Sequence, residues 1–141
     1  MDRKKILAVI AAISLVAGCC LMLILYPVLK GEDIFHPQPS PQQVGEAFFQ
    51  ALKEEDYDSA FAMCDATLRN ELINPANFQY LIELYEYQPQ DWEFQTRQVS
   101  ANQMELSGKM DFKFHTDGVF RLILRKYEDG WKISVFHLDY S

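Results

Sequence analysis

Cysteine is scarce in this 141-residue chain: of three, Cys19 and Cys20 lie in an apolar run, leaving Cys64 alone in the remainder. A disulfide framework is thereby excluded from the C-terminal part, and a single cysteine on an apolar helix face reads as a small buried hydrophobe. Basic residues are also few. From Gly31 onward nine Lys and Arg stand against nineteen Asp and Glu, a net charge of −10. Such a surface repels phosphate backbones and anionic headgroups, so nucleic acid is a poor partner. The sequence lacks a nucleophile motif, a glycine loop that would cradle phosphate, and any metal-ligand spacing, so it implies neither cofactor nor metal. Internal repeats and low-complexity tracts are missing as well. Aromatics are not in short supply: ten Phe, seven Tyr and two Trp, recurring with helix and strand periods, show that the acidic part folds.

Residues 6–29 form an apolar run without a charged residue, interrupted only by Ser14, Gly18, Tyr26 and Pro27. As a helix it would rise about 36 Å, enough to cross a hydrocarbon core of roughly 30 Å. Arg3, Lys4 and Lys5 precede it, and Glu32 and Asp33 follow. This charge order predicts a cytoplasmic N-terminus and a C-terminal domain outside, on a single-pass plasma-membrane protein. An alternative stands beside it. Leu15-Val16-Ala17-Gly18-Cys19 resembles a lipoprotein signal, which would make Cys19 a lipidated N-terminus on the outer face. The apolar stretch continues well beyond Cys19, which favours the spanning helix. The expected organisation is a basic tip and signal anchor over residues 1–30, a Pro-containing spacer over 31–39, and one domain over 40–141.

Within that domain, Ser40-Pro41-Gln42-Gln43 has the elements of a capping box with proline at the first helical position. Val44, Ala47, Phe48, Ala51 and Leu52 follow at helical spacing. A second helix is expected near Asp56, with Tyr57, Ala60, Phe61 and Cys64 on its apolar stripe. Asn74-Pro75 opens a third, carrying Phe78, Leu81, Ile82 and Tyr85. Beyond Pro89 the period becomes two. Met104, Leu106, Met110, Phe112 and Phe114 alternate with polar residues, and Asp117-Gly118 and Asp129-Gly130 signal tight turns. With residues 92–100, 119–127 and 131–140 this predicts about four antiparallel strands. The fold class is α+β: about three helices packed on one face of a sheet.

Three segments carry a family resemblance: Pro41-Gln42-Gln43-Val44-Gly45-Glu46-Ala47-Phe48-Phe49-Gln50-Ala51-Leu52, then Asp56-Tyr57-Asp58-Ser59-Ala60-Phe61, and finally Asp129-Gly130-Trp131-Lys132-Ile133. Together they resemble the nuclear transport factor 2-like superfamily, and in particular its small membrane-tethered bacterial domains of unknown function. The resemblance implies a cone of helices against a curved sheet that can enclose a pocket. It implies no activity, because that fold hosts enzymes, carriers and dimerisation modules.

Two sets of residues are candidates for a site. Met104, Met110, Phe112 and Trp131 would line a cone, with Tyr57 as a core aromatic nearby. His137 and Asp139 share a strand face with Trp131, Ile133 and Val135 if the last strand runs without a bulge, and there they would form an acid–base pair at the pocket mouth. Phe136, Leu138 and Tyr140 are equally apolar on the opposite face. They form either a contact surface or, after a bulge, part of the core. His36 belongs to the spacer and His115 to a loop edge. Glu54-Glu55-Asp56 with Asp58 lacks the ligand order of a calcium loop and reads as a solvated turn before a helix. The expected function is a non-catalytic accessory domain that binds an envelope protein or small ligand, or pairs with itself. A pocket enzyme of the isomerase or dehydratase type and a carrier of an apolar molecule are the alternatives.

Overall fold

The computed structural model describes residues 37–140. The apolar run, Cys19 and most of the spacer lie outside the described residues. Among those described, no helix is long and apolar enough to cross a membrane. Four helices come first, α1 (Pro41–Lys53), α2 (Tyr57–Ala62), α3 (Ala66–Leu72) and α4 (Pro75–Leu84). Four strands follow, β1 (Pro89–Ser100), β2 (Gln103–Phe112), β3 (Gly118–Tyr127) and β4 (Gly130–Asp139). They form one open antiparallel sheet in the order β1-β2-β3-β4, with the helices on one face. The class is α+β.

Each helix starts where a side chain replaces a missing backbone partner. The Ser40 hydroxyl accepts from the Gln43 amide at 3.2 Å while the Gln43 side chain accepts from the Ser40 amide at 2.8 Å, a complete capping box. Asp56, Asp65 and Asn74 cap α2, α3 and α4 in the same manner. Helix α3 was not among the three expected. Only Leu68 and Leu72 are buried on it, too few apolar positions to register as a period. The buried face of α1 is also rotated from the expected stripe: Ala47 is exposed, whereas Gly45 and Phe49 are buried. Gly45 lies so close to the sheet that a methyl group there would meet Leu106 at 2.5 Å, and this approach selects the face.

The sheet supplies the other half of the core. Leu106, Met110 and Phe112 on β2, with Phe120, Leu122 and Leu124 on β3, are buried under the helices. Gly108 makes room among them. A Cβ at that position would meet the Glu93 carbonyl oxygen of the neighbouring strand at 1.8 Å and the Phe120 ring at 3.1 Å. Besides Ala47, two expected core positions fall outside. Phe114 is exposed because β2 ends at Phe112, so the alternation no longer applies; Tyr85 is exposed because it is the cap residue after α4. The turn residues match the signals read from sequence, with positive φ at Asp117 (62°) and Gly130 (120°).

Candidate functional site

What the last strand presents depends on one residue. Register between β3 and β4 shifts between Ile123 and Leu124, whose partners are Val135 and Ile133, so Ser134 is extra. This is a β-bulge, and it inverts the phase of everything after it. Trp131 and Ile133 face the helices before the bulge; Phe136, Leu138 and Tyr140 face them after it. The contact-surface reading of Phe136, Leu138 and Tyr140 is therefore corrected: they pack into or against the core. His137 and Asp139 point to the other face, opposite Arg121 and Val119, and both are exposed.

The bulge is held by a buried carboxylate. Asp65 accepts from the Ser134 hydroxyl at 2.6 Å, the Tyr127 hydroxyl at 2.9 Å and the Leu68 amide at 2.9 Å. Backbone bonds between Met63 and Ile133 and between Asp65 and Ile133 seat this turn on the free edge of β4. Burial pushes the Asp65 carboxyl upward, but the Leu68 amide, the Ser134 and Tyr127 hydroxyls and the Arg125 charge outweigh it and hold it below the ordinary carboxylate value. Asp65 caps a helix and fixes a bulge, with no unshared oxygen aimed at a cavity. No buried side-chain nitrogen or oxygen among the described residues lacks a partner. Sequence reading missed Asp65. Its signal is an Asp three residues before Leu68, the bare form of an N-cap.

The interior where a pocket was expected is filled. Phe48 packs on Phe78 and Phe136 at ring separations of 6.3 and 6.0 Å, and Phe49 on Trp92, Phe94 and Phe120 at 5.5, 5.7 and 4.8 Å. Of the candidate lining, Met110 and Phe112 are buried in this core, while Met104 and Trp131 pack half-buried at its margin. Tyr57 is buried edge-on to Phe78 at 6.2 Å, and burial, with Glu83 and Glu55 nearby, pushes its hydroxyl up. His137 and Asp139 are separated from all of these by the thickness of the sheet. The structure does not bring the expected pocket set together. Cys64 is fully buried, and burial with the Asp65 charge, partly countered by Arg69, pushes its thiol up to about 12, the value of an inert thiol.

Two other features were not read from sequence. The His115 ring stacks on Tyr140 at 3.7 Å and pairs with Glu86 at 2.6 Å, tying the β2–β3 loop to the end of β4 and to the turn after α4. An open groove of about 310 Å³ is lined by Asp91, Trp92, Glu93, Lys109, Met110, Asp111 and Asp117. It is shallow and acidic. Among the described residues no group of three or more His, Cys, Asp or Glu side chains is placed to hold a metal ion.

Ile73, Tyr80 and Leu84 on the helical side are open to water, as is the outer face of the sheet. Arg121 binds Glu105 there at 2.9 Å, and Val119 and Val135 are 50% and 43% exposed between charged neighbours. Among curated proteins, no significant match to this chain is found. From the end of the spacer to the last residue of β4, residues 37–139 match the domain of unknown function DUF4864, and the chain belongs to that family.

Proposed function

We propose that the chain is a membrane-tethered, extracytoplasmic binding module of the nuclear transport factor 2-like type, without catalysis, that engages its partner through the outer face of the sheet. The tether is the apolar run of residues 6–29, and the basic residues before it favour an outward-facing domain. The filled core carries the reading. The space that an enzyme or a carrier would use between helices and sheet is occupied by the rings of Phe48, Phe49, Phe78 and Phe136. The one buried charge in it, Asp65, is consumed by a helix cap and a bulge. A nuclear transport factor 2-like cone is supported by helices packed on one face of a four-stranded antiparallel meander. Exposed β-branched residues among charges on the opposite face suit a partner that buries them.

The test is photo-crosslinking of the full chain in its own membrane, with the reactive group at Val119 or at Val135, and at exposed Thr67 on α3 as control. A discrete adduct from the two sheet positions and none from Thr67 is expected. No adduct from either sheet position would overturn the reading. Loss of the biological role in a His137→Ala, Asp139→Asn variant that keeps those adducts would replace binding with chemistry.

A further inference from the structure

Helix α4 is apolar on two sides. Phe78 and Ile82 are buried against the core, while Ala76, Tyr80 and Leu84 form a second row at i, i+4 and i+8 that stands in water. Helix α1 is built differently, with Gln42, Gln43, Glu46 and Gln50 on its exposed side. A helix apolar all round is ordinarily covered all round. The residue before the α4 cap adds to the exposed row against its own backbone preference. Ile73 has φ 72° and ψ −61°, and the Asn74 amide donates across it to the Leu72 carbonyl at 2.9 Å. That is the strained form of γ-turn, in a region that a β-branched residue seldom enters and glycine enters freely. Ile73 is nevertheless 69% exposed, beside Tyr80 at 59% and Leu84 at 54%. Its side chain adds nothing to the core, so the strain points to something outside the domain that this side chain meets. One turn earlier, Arg69 shares an open groove of about 260 Å³ with Ile73, and among the described residues it makes no ion pair. The carboxylates of Glu83 and Glu86 are already engaged, by the Gln79 amide at 2.7 Å and by His115.

We propose that this side of the domain docks on a zwitterionic lipid surface, the bilayer that holds the chain, with Ile73, Tyr80 and Leu84 in the interfacial layer and Arg69 on a lipid phosphate. The inference rests on the tether in the reading above and adds which side of the domain meets lipid. Residues 30–37 reach at most about 30 Å even when fully extended. That is about the width of a domain of some 100 residues, whose radius of gyration is about 13 Å. The lipid surface therefore never leaves the domain's reach, and under such a tether a patch too small for free association stays occupied. A protein partner would need more. A ten-residue helix is about 15 Å long and about 10 Å wide, far short of the roughly 800 Å² per partner of a stable protein interface. The residue types fit the interface as well, since a tyrosine ring sits at the level of the headgroups while leucine and isoleucine reach below them. Excess carboxylates over the rest of the domain oppose anionic headgroups, which selects neutral lipid. Because the helices cover the inner face of the sheet, docking through them leaves the outer face free for the partner proposed above.

The test uses the full chain in nanodiscs of phosphatidylcholine brominated on its acyl chains, with a genetically encoded fluorophore at Tyr80 or Leu84, and at Val119 as control. An apolar helix face sinks about 5–10 Å below the headgroups, so bromine should quench the first two probes at least about twofold and leave Val119 unchanged. Adding phosphatidylglycerol should weaken the quenching. Ile73→Gly should also weaken it at Leu84 while melting no lower than the wild type, because glycine relieves the turn. A merely structural Ile73 would behave in the opposite way, with a lower melting point and full quenching, and that result overturns the inference. Unquenched probes at Tyr80 and Leu84 in discs that hold the chain overturn it too, as does equal quenching at Val119. A photo-reactive group at Tyr80 that captures a discrete polypeptide, a second copy included, would assign the patch to protein and overturn it as well. Failure of the tether is read separately. A chain that does not enter the discs discards tether and docking together, whereas unquenched probes in loaded discs discard the docking alone.

Discussion

The two faces of one sheet follow opposite rules. On the inner face, Leu106, Met110, Leu122 and Ile133 are at most 1% exposed and neighbouring rings touch, so each methylene is fixed by its neighbours. On the outer face, Val119 and Val135 stand half in water between Arg121, His137 and Asp139. Both faces are made by the same strands, one residue apart. The inner face is governed by volume and the outer by charge order, so equal substitutions on the two sides have unequal consequences.

The largest effect is expected where the inner face has no space at all. Gly108→Val directs a branched side chain at the Glu93 carbonyl and the Phe120 ring. It should cost more than about 3 kcal/mol, because backbone cannot yield as a flexible side chain does. Equilibrium urea unfolding checks this, and a midpoint within error of the wild type would show that the sheet opens more easily than the packing implies. A sharper contrast comes from neighbours on opposite sides of β4. Phe136→Ala removes a ring packed on Phe48 and Phe78 and should cost about 2–4 kcal/mol, whereas His137→Ala should stay within about 0.5 kcal/mol. Equal losses would mean that the bulge is misplaced.

A smaller loss than that of Phe136→Ala is expected at the residue that sets the phase. Asp65→Asn keeps an N-cap but loses the charge accepting from Ser134 and Tyr127, at a cost of about 1–2 kcal/mol near neutral pH. The folded carboxyl lies below its unfolded value of about 3.9. Its contribution is therefore complete above that value and is lost as pH falls through the folded value. Melting curves of wild type and variant should stay apart well above the unfolded value of about 3.9 and draw together as pH falls below it. A gap that widens on acidification would contradict the assignment.

Much of this was legible in the chain because it is local. Ser40-Pro41 and Asn74-Pro75 start helices through their own side chains, and alternation from Met104 to Phe112 makes a strand with one buried face. The expectations that did not hold extended a local rule one step too far, as when the alternation was carried to Phe114 beyond the end of β2. Helix α3 escaped because two leucines do not make a period, and its stability comes from docking on β4 and from Asp65.

By itself the sequence determined the α+β class, the capped helix starts, the turns at Asp117 and Asp129-Gly130, and an acidic chain with no disulfide framework beyond its apolar run. Those properties depend on neighbours a few residues away, which the chain order displays directly. Which side of the sheet holds His137 and Asp139, and whether Phe136, Leu138 and Tyr140 face water, was decided only in three dimensions. A single extra residue, Ser134, inverts a period of two, and what stabilises it is a carboxylate 69 positions earlier in the chain. The filling of the interior was equally out of reach. It depends on how the rings of α1, α4 and β4 meet, and no spacing along the chain measures the volume between elements.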